Sequence, residues 1–198
     1  TMPSKSLDSI TLDPKTSSLS ALKKFKYPGK YSEKAKGTDY TKILMEKENA
    51  LYDVILVDLP DPNNENLSKL YSDSFYRLLA RRLSPDGAFV TQATSPYFAR
   101  RSFWTINTTI QSADFDTLPL HTNVPTFGEW GFIIGTPLAT QAIEIPATLD
   151  LRYLTPEVLA SAQYFDPDLA YSEDFDSINT LDNPILPRFY ENDWRRWN

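Results

Sequence analysis

The fold of this chain is decided by residues 52–64, which read Tyr-Asp-Val-Ile-Leu-Val-Asp-Leu-Pro-Asp-Pro-Asn-Asn. The apolar run from Val54 to Val57 is typical of a strand that is covered on both faces in a parallel sheet. The two prolines that follow lack a backbone donor and restrict φ, so neither strand nor helix continues through residues 59–63. Because ligands of such sheets bind where the strands end, we expect Asp58 and Asp61 to lie at the rim of a functional site.

The composition excludes several classes of function. The chain has 198 residues and a net charge of -6, which argues against nucleic acid or an anionic membrane surface as the main partner and favours a cationic ligand. It contains no cysteine, which excludes disulfides, thiolate zinc sites and cysteine nucleophiles. Its apolar runs are too short for a membrane span or a signal peptide, so we expect a soluble, cytoplasmic chain.

Helix and strand signals alternate after the acidic loop. We predict a helix from Ser72 to about Arg82, a turn at residues 85–87, a strand at 88–92, a helix at 99–113 and strands at 116–123 and 130–135. The last two strands are joined by a loop that is too short for a parallel crossover, so they should pair antiparallel. This order is that of an α/β fold with a mostly parallel sheet.

Three segments are expected from the composition. Residues 1–37 are a poorly specified, lysine-rich N-terminal segment, residues 38–135 form the α/β domain, and residues 136–198 are a proline-rich extension that wraps it. A short helix is predicted at 38–49, and Thr155 should cap another that begins at Pro156. The aromatic C-terminus should dock onto the domain or mark a partner surface.

Four blocks of sequence resemble one known family. They are residues 52–62, the pairs Leu70-Tyr71 and Phe75-Tyr76, the segment Gln-Ala-Thr-Ser-Pro at 92–96, and Val-Pro-Thr-Phe-Gly-Glu-Trp-Gly-Phe at 124–132. Together they resemble the spermidine synthase (polyamine aminopropyltransferase) family, most of all the bacterial branch whose catalytic domain follows membrane-spanning helices. The resemblance is close over residues 38–135 and looser over 136–198.

The resemblance implies a Rossmann-like, methyltransferase-type fold and a specific reaction. An aminopropyl group would pass from decarboxylated S-adenosylmethionine, a co-substrate, to a diamine such as putrescine, and methylthioadenosine would be released. The implied partners are thus a cationic diamine and a sulfonium nucleoside, with no metal or other cofactor. An oligomer is expected, as is a membrane domain or protein partner that supplies the missing half.

The resemblance also assigns roles to six residues. Asp58 corresponds to the acid that takes or orients the proton of the attacking amine, and Asp61 to a carboxylate that binds the amines. Gln92 corresponds to a glutamine of the polyamine groove and Trp130 to an aromatic at its wall. In the same way, Asp39 matches an acid near the adenine and Asp13 an acid that holds the ribose hydroxyls.

The chemistry of the reaction suits these residue types. The site must hold cations and must deprotonate an ammonium whose unperturbed pKa is about 10. Paired carboxylates with aromatic walls do both, through charge pairing and cation–π contact. The one histidine, His121, falls within a predicted strand, and we expect it to have no direct chemical role.

One family feature has no counterpart in residues 1–50, the glycine-rich loop that cradles the nucleoside. Two interpretations therefore stay open: an aminopropyltransferase-like chain, or a non-catalytic, degenerate or partial subunit with a structural role in a larger assembly. A methyltransferase on the same sheet is less consistent with the pair Asp58 and Asp61. Those two residues could instead cap the turn and the following helix, and Trp130 could be an ordinary core residue.

Overall fold

The structure is a computed structural model, and it describes residues 51–137, 145 and 151–197. The helix predicted at 38–49, the lysine-rich segment, Asp13 and Asp39 lie outside the described residues. The strands and helices below therefore belong to residues 51–135 of the predicted α/β domain and to the described part of the extension.

Four strands form one mixed sheet. They are β1 (Tyr52–Val57), β2 (Leu83–Gln92), β3 (Asp116–Val124) and β4 (Gly128–Thr136), in the spatial order β1-β2-β4-β3. β1 and β2 are parallel, whereas β4 is antiparallel to both β2 and β3. The predicted antiparallel pairing of the last two strands is confirmed.

Five α-helices connect and flank the strands. They are α1 (Glu65–Ser68), α2 (Asp73–Ala80), α3 (Arg100–Gln111), α4 (Pro156–Ala162) and α5 (Leu186–Trp194), with 3-10 turns at Lys69–Tyr71 and Glu173–Phe175. The Ser72 side chain accepts from the Phe75 backbone N–H and so caps α2, and Thr155 caps α4 in the same way at Val158. Both predicted helix starts are confirmed.

The turn predicted at residues 85–87 lies inside β2. Tyr52 pairs with Leu83 and Val54 with Ala88, so two steps on β1 correspond to five on β2. The extra residues are accommodated as a bulge, which keeps β2 hydrogen-bonded to its neighbour on either side of the proline and glycine. The strand consequently begins at Leu83, five residues earlier than the predicted start at 88.

One face of the sheet carries the core. Ile55, Val57, Phe89 and Ile133 are all at most 4% exposed, and the register places Ile55 opposite Phe89 and Val57 opposite Thr91. The rings of α2 and α3 pack there too, with Phe75, Tyr76 and Phe103 almost completely buried. This burial places one face of each of these helices in the core.

The aromatic C-terminus docks onto α3. Asp193 accepts hydrogen bonds from the backbone N–H and the hydroxyl of Ser102, at 3.1 and 3.0 Å. The Arg101 guanidinium lies over the Phe189 ring, 3.8 Å from its centroid, and the Trp194 ring stacks on Phe98. The structure therefore shows the first of the two alternatives predicted for this terminus, which is docking on the domain.

In the part of the chain that the structure describes, no helix combines the length and the apolar character that crossing a bilayer requires.

Candidate active site

The carboxyl ends of β1 and β2 meet at one edge of the sheet. Val57 pairs with Thr91, so Asp58 and Gln92, each the next residue along its strand, arrive there level with one another. Gln92 in turn pairs with Phe132 of β4. The pleat and the parallel register thus bring two of the sequence-predicted site residues to one edge, where α/β sheets bind ligands.

Asp61 lies on the loop that follows β1, and both of its carboxylate oxygens are hydrogen-bonded. Gln92 donates from Nε2 to Oδ1 at 3.2 Å, and Tyr190 donates from its hydroxyl to Oδ2 at 2.8 Å. An ionised carboxylate has about four lone-pair positions, so each oxygen keeps room for a further donor. A cationic N–H group is the donor that this arrangement suits best.

The acidic loop is held against the core by Tyr71. This side chain is completely buried, and its hydroxyl donates to the backbone carbonyls of Leu59 and Pro60, at 3.2 and 3.0 Å. These two carbonyls belong to the segment between the two acids. Tyr71 therefore determines where the loop runs, and burial keeps its pKa well above the usual range, so the hydroxyl stays a donor.

Both acids are less acidic than an ordinary aspartate. Loss of solvent contact raises the pKa of the Asp58 carboxyl and raises that of Asp61. For Asp61 the hydrogen bond from Tyr190 acts in the opposite direction, because it stabilises the ionised form. A carboxylate with a raised pKa is a stronger base, which is what proton removal from an ammonium requires.

Trp130 lies at the same edge of the sheet, on β4. Its neighbour Gly131 is bonded in both directions to the segment that directly follows β2, donating to the Thr94 carbonyl at 2.6 Å and accepting from the Ala93 backbone N–H at 2.9 Å. The Trp130 ring is partly exposed and lies 5.5 Å from that of Phe127, so it is not an ordinary core residue. The structure places Trp130 at the edge where Asp58 and Gln92 lie, packed on an exposed aromatic ring.

Thr94 has an unusual backbone conformation beside this edge. Its φ is 60°, in the left-handed region that β-branched residues rarely adopt, and the residue is completely buried. Backbone strain of this kind concentrates at functional sites, where the surrounding structure maintains it.

The capping alternative for the two acids is not what the structure shows at α1. Asn64 is the N-cap of that helix, and its side chain accepts from the Leu67 backbone N–H at 3.1 Å. The Asp61 carboxylate is instead engaged by Gln92 and Tyr190. The helix after the loop therefore does not need either acid as its cap.

His121 lies in β3, as predicted. Its Nδ1 contacts the Glu129 carboxylate on β4, and its Nε2 is 2.6 Å from the Tyr164 carbonyl. Its ring also packs against Phe165. His121 therefore has a structural role, because its contacts attach the C-terminal extension to the sheet.

Two residues of this site were not assigned from the sequence. Tyr71 was noted only as part of a family block, and Tyr190 only as part of an aromatic terminus. The signal for Tyr190 was the density of aromatic residues near the C-terminus, which predicts docking but not a partner. In the described residues, no group of three or more His, Asp and Glu side chains is placed to hold a metal ion.

Comparison with known protein families identifies the chain. The family model of the spermine/spermidine synthase domain matches residues 30–143. The chain belongs to the spermine/spermidine synthase family. All four sequence blocks on which the resemblance rested lie within the matched range.

Curated members of this family are clearly similar to the chain. It is 42% identical over 157 residues to the polyamine aminopropyltransferase of Oceanobacillus iheyensis, a match covering 77% of this chain and 30% of that protein. It is 41% identical over 152 residues to the polyamine aminopropyltransferase of Leptospira interrogans, with the same two coverages. The chain thus spans about 30% of the length of these relatives.

Solved spermidine synthase structures share the fold. One, in complex with the transition state analogue AdoDATO, has a TM-score of 0.53 at 20% identity, covering 67% of this chain and 46% of that one. The spermidine synthase of Thermotoga maritima has a TM-score of 0.51, also at 20% identity, and the match covers 67% of this chain and 45% of that one. The predicted Rossmann-like, methyltransferase-type class of the spermine/spermidine synthase family is therefore confirmed.

Proposed function

We propose that this chain carries the amine-binding side of a polyamine aminopropyltransferase site, which transfers an aminopropyl group from decarboxylated S-adenosylmethionine to a diamine such as putrescine. The observation that supports this most directly is the pair Asp58 and Asp61 at the carboxyl edge of the sheet, with Asp61 bonded on both oxygens. Relatives named polyamine aminopropyltransferase, at about 42% identity, favour this function over a non-catalytic subunit.

The reaction assigns a task to each acid. The amine nitrogen of the diamine attacks the aminopropyl carbon bonded to the sulfonium, a C–N bond forms, and the C–S bond breaks with its electron pair going to sulfur. The attacking amine must first lose a proton, which Asp58 accepts. Asp61 binds a cationic nitrogen of the diamine, Gln92 orients Asp61, and Trp130 forms an aromatic wall at which a cation is stabilised. Asp39 and Asp13 are proposed for the nucleoside, at its adenine and ribose.

The decisive experiment is the substitution Asp58→Asn in the protein as it naturally occurs. Removing a general base typically lowers the rate by about 10²–10⁴-fold. We expect aminopropyl transfer to putrescine, followed by release of methylthioadenosine, to fall by at least about 100-fold while the thermal unfolding curve is maintained. Asparagine is nearly isosteric with aspartate, so packing should not change.

The same strand offers a matched control, Asp53→Asn. Asp53 lies at the opposite end of β1, where its carboxylate accepts from the Ser84 hydroxyl at 2.9 Å, a bond that an amide oxygen can also accept. This variant should retain wild-type transfer. Full activity in Asp58→Asn would remove Asp58 as the base, and a wild-type protein that is folded but inactive on every diamine tested would favour the non-catalytic subunit.

A further inference from the structure

Tyr190 reaches the acidic loop from near the end of the chain. Its hydroxyl lies 2.8 Å from Asp61 Oδ2, although 129 residues separate the two along the sequence. Gln92 holds the other oxygen at 3.2 Å. Gln92 and Tyr190 thus hold the plane of the carboxylate from two directions, from the sheet and from α5, and the Thr94 side chain also acts on this carboxyl.

The helix that carries Tyr190 is itself held in place by charge. Asp193 accepts from the Ser102 backbone N–H and hydroxyl in the first turn of α3, where Ala99 provides no side-chain cap. A carboxylate at a helix N-terminus satisfies an unpaired donor and complements the helix dipole. Since Tyr190 and Asp193 are three residues apart on α5, the contact that docks the helix also directs the tyrosine to the loop.

Aromatic packing restricts the Tyr190 ring as well. Its centroid lies 5.9 Å from that of Trp194, whose own ring stacks on Phe98 at 5.3 Å with an interplanar angle of 12°. Phe98 belongs to the segment that follows Gln92 and precedes α3. The Tyr190 ring is thus linked through Trp194 to the segment that follows Gln92.

We propose that Tyr190 is a positioning residue for Asp61, and that the Tyr190 hydroxyl keeps this carboxylate turned toward the cationic nitrogen of the bound diamine. The identity of the ligand rests on the proposed function, whereas the effect on Asp61 rests on the contact alone. The bond from Tyr190 lowers the pKa of Asp61 against the rise caused by burial. Burial and the nearby Asp61 raise the pKa of the Tyr190 hydroxyl, so it remains a donor at neutral pH.

The effect on Asp61 is tested without any substrate. Carboxyl carbons of ¹³C-aspartate-labelled protein are titrated by NMR, and the Asp61 signal is assigned from its absence in Asp61→Asn. In Tyr190→Phe the pKa of Asp61 should rise, because the phenyl ring keeps the packing and removes only the donor. The matched control is Tyr171→Phe, since Tyr171 is exposed on the extension and packs edge-on against Trp104. An unchanged Asp61 titration in Tyr190→Phe overturns the inference.

The effect on the ligand is tested by kinetics with putrescine. A hydrogen bond to a charged group corresponds to roughly a tenfold change, so KM for putrescine should rise about tenfold in Tyr190→Phe, with kcat changed less than about threefold. In an Asp61→Asn background, Tyr190→Phe should have no further effect, because the tyrosine acts through the acid. An additive effect in the double variant, or an unchanged KM in an active enzyme, overturns the positioning role.

The two experiments separate this inference from the proposed function. A wild-type protein without transferase activity would contradict the function, while the NMR titration would still decide whether Tyr190 controls Asp61. Thermal unfolding of Tyr190→Phe provides the folding control. Should that variant unfold, Tyr190→Leu, which keeps an apolar side chain and has no donor, serves for the same titration with the same expected and opposing results.

Discussion

At the scale of single residues, the site combines two opposing requirements. In the proposed reaction Asp58 and Asp61 are ionised to bind and deprotonate a cation, yet their surroundings raise the pKa of both, mainly through loss of solvent. At Asp61 the hydrogen bonds of Tyr190 and Thr94 act in the opposite direction and lower its pKa in part. Groups arranged in this way are those whose protonation controls activity.

The raised pKa of Asp58 predicts how activity depends on pH. As the pH falls, Asp58 takes up its proton at a higher pH than an ordinary aspartate, whose value is 3.8. The acidic limb of the profile of kcat/KM against pH, which reports groups of the free enzyme, should therefore lie above that value, and it should be absent from the residual activity of Asp58→Asn. An acidic limb that is the same in both proteins would assign it to another group.

The raised pKa of Asp58 also predicts how stability depends on pH. Ionisation of Asp58 should increase activity but lower the stability of the folded protein. A raised folded-state pKa stabilises the protein most where the carboxyl is protonated, and this contribution is lost as pH rises through the folded value. The variant Asp58→Asn has no carboxyl to ionise at this position. The difference in melting temperature, variant minus wild type, should therefore increase from acidic toward neutral pH. Thermal unfolding between about pH 3 and pH 8 measures this, and a variant that becomes relatively less stable toward neutral pH would contradict it.

At the scale of elements, β4 has glycines at the positions where aromatic rings pack directly against its backbone. A Cβ added at Gly135 would overlap the Phe89 ring, and one at Gly131 would overlap the ring of Phe103. Phe89 is itself enclosed, stacked on Tyr76 and edge-on to Phe115. The close approach of rings to bare backbone at these positions allows α2 and α3 to pack against the sheet.

Gly135→Ala should accordingly destabilise the protein. The added methyl group meets a buried ring that has no room to move, and overpacking of this kind costs about 1–3 kcal/mol. Chemical denaturation measures the change in the free energy of unfolding. The double variant Gly135→Ala with Phe89→Leu is the control, because a smaller side chain makes room, and its loss should be less than the sum of the two single losses. Strict additivity would show that the methyl group and the ring do not meet.

At the scale of the whole molecule, the extension is joined to the α/β domain by polar contacts to buried groups. Asn179 is completely buried, and its side-chain amide donates to the carbonyls of Ser68 and Tyr71, at 2.8 and 3.1 Å. Its backbone N–H donates to the Thr109 hydroxyl, and its carbonyl accepts from Asp73. One residue of the extension therefore satisfies groups on α1, the 3-10 turn, α2 and α3.

Asn179→Ala should unfold more easily than the wild type by about 3 kcal/mol, because the carbonyls of Ser68 and Tyr71 and the Ser68 hydroxyl, which donates to Asn179 Oδ1, lose their partner inside the protein. The loss should also reach the site, since Tyr71 holds the acidic loop. Asn183→Ala, at an exposed position four residues later, is the matched control and should change stability by less than about 0.5 kcal/mol. Equal unfolding midpoints for the two variants would show that the extension is not coupled to the domain.

Local features of this protein can be predicted from its amino-acid sequence. The run of β-branched residues before two prolines predicted β1 and the acidic loop, and Ser72 predicted the start of α2, because such signals act within a few residues. It also predicted Asp58, Asp61 and Gln92 as site residues through their resemblance to a family. Their placement at one edge follows from strand order, although their roles remain proposals.

Only the tertiary structure decided what joins distant parts of the chain. The contact of Tyr190 with Asp61 spans 129 residues, and that of Asn179 with Ser68 spans 111. Tyrosine and asparagine also occur at many exposed positions, so the residue type alone does not indicate these contacts. The partners meet only when the helices pack, because packing excludes water and leaves each buried polar group to bond within the protein. The bulge in β2 has the same origin, since pairing with β1 outweighed the local turn preference of its proline and glycine.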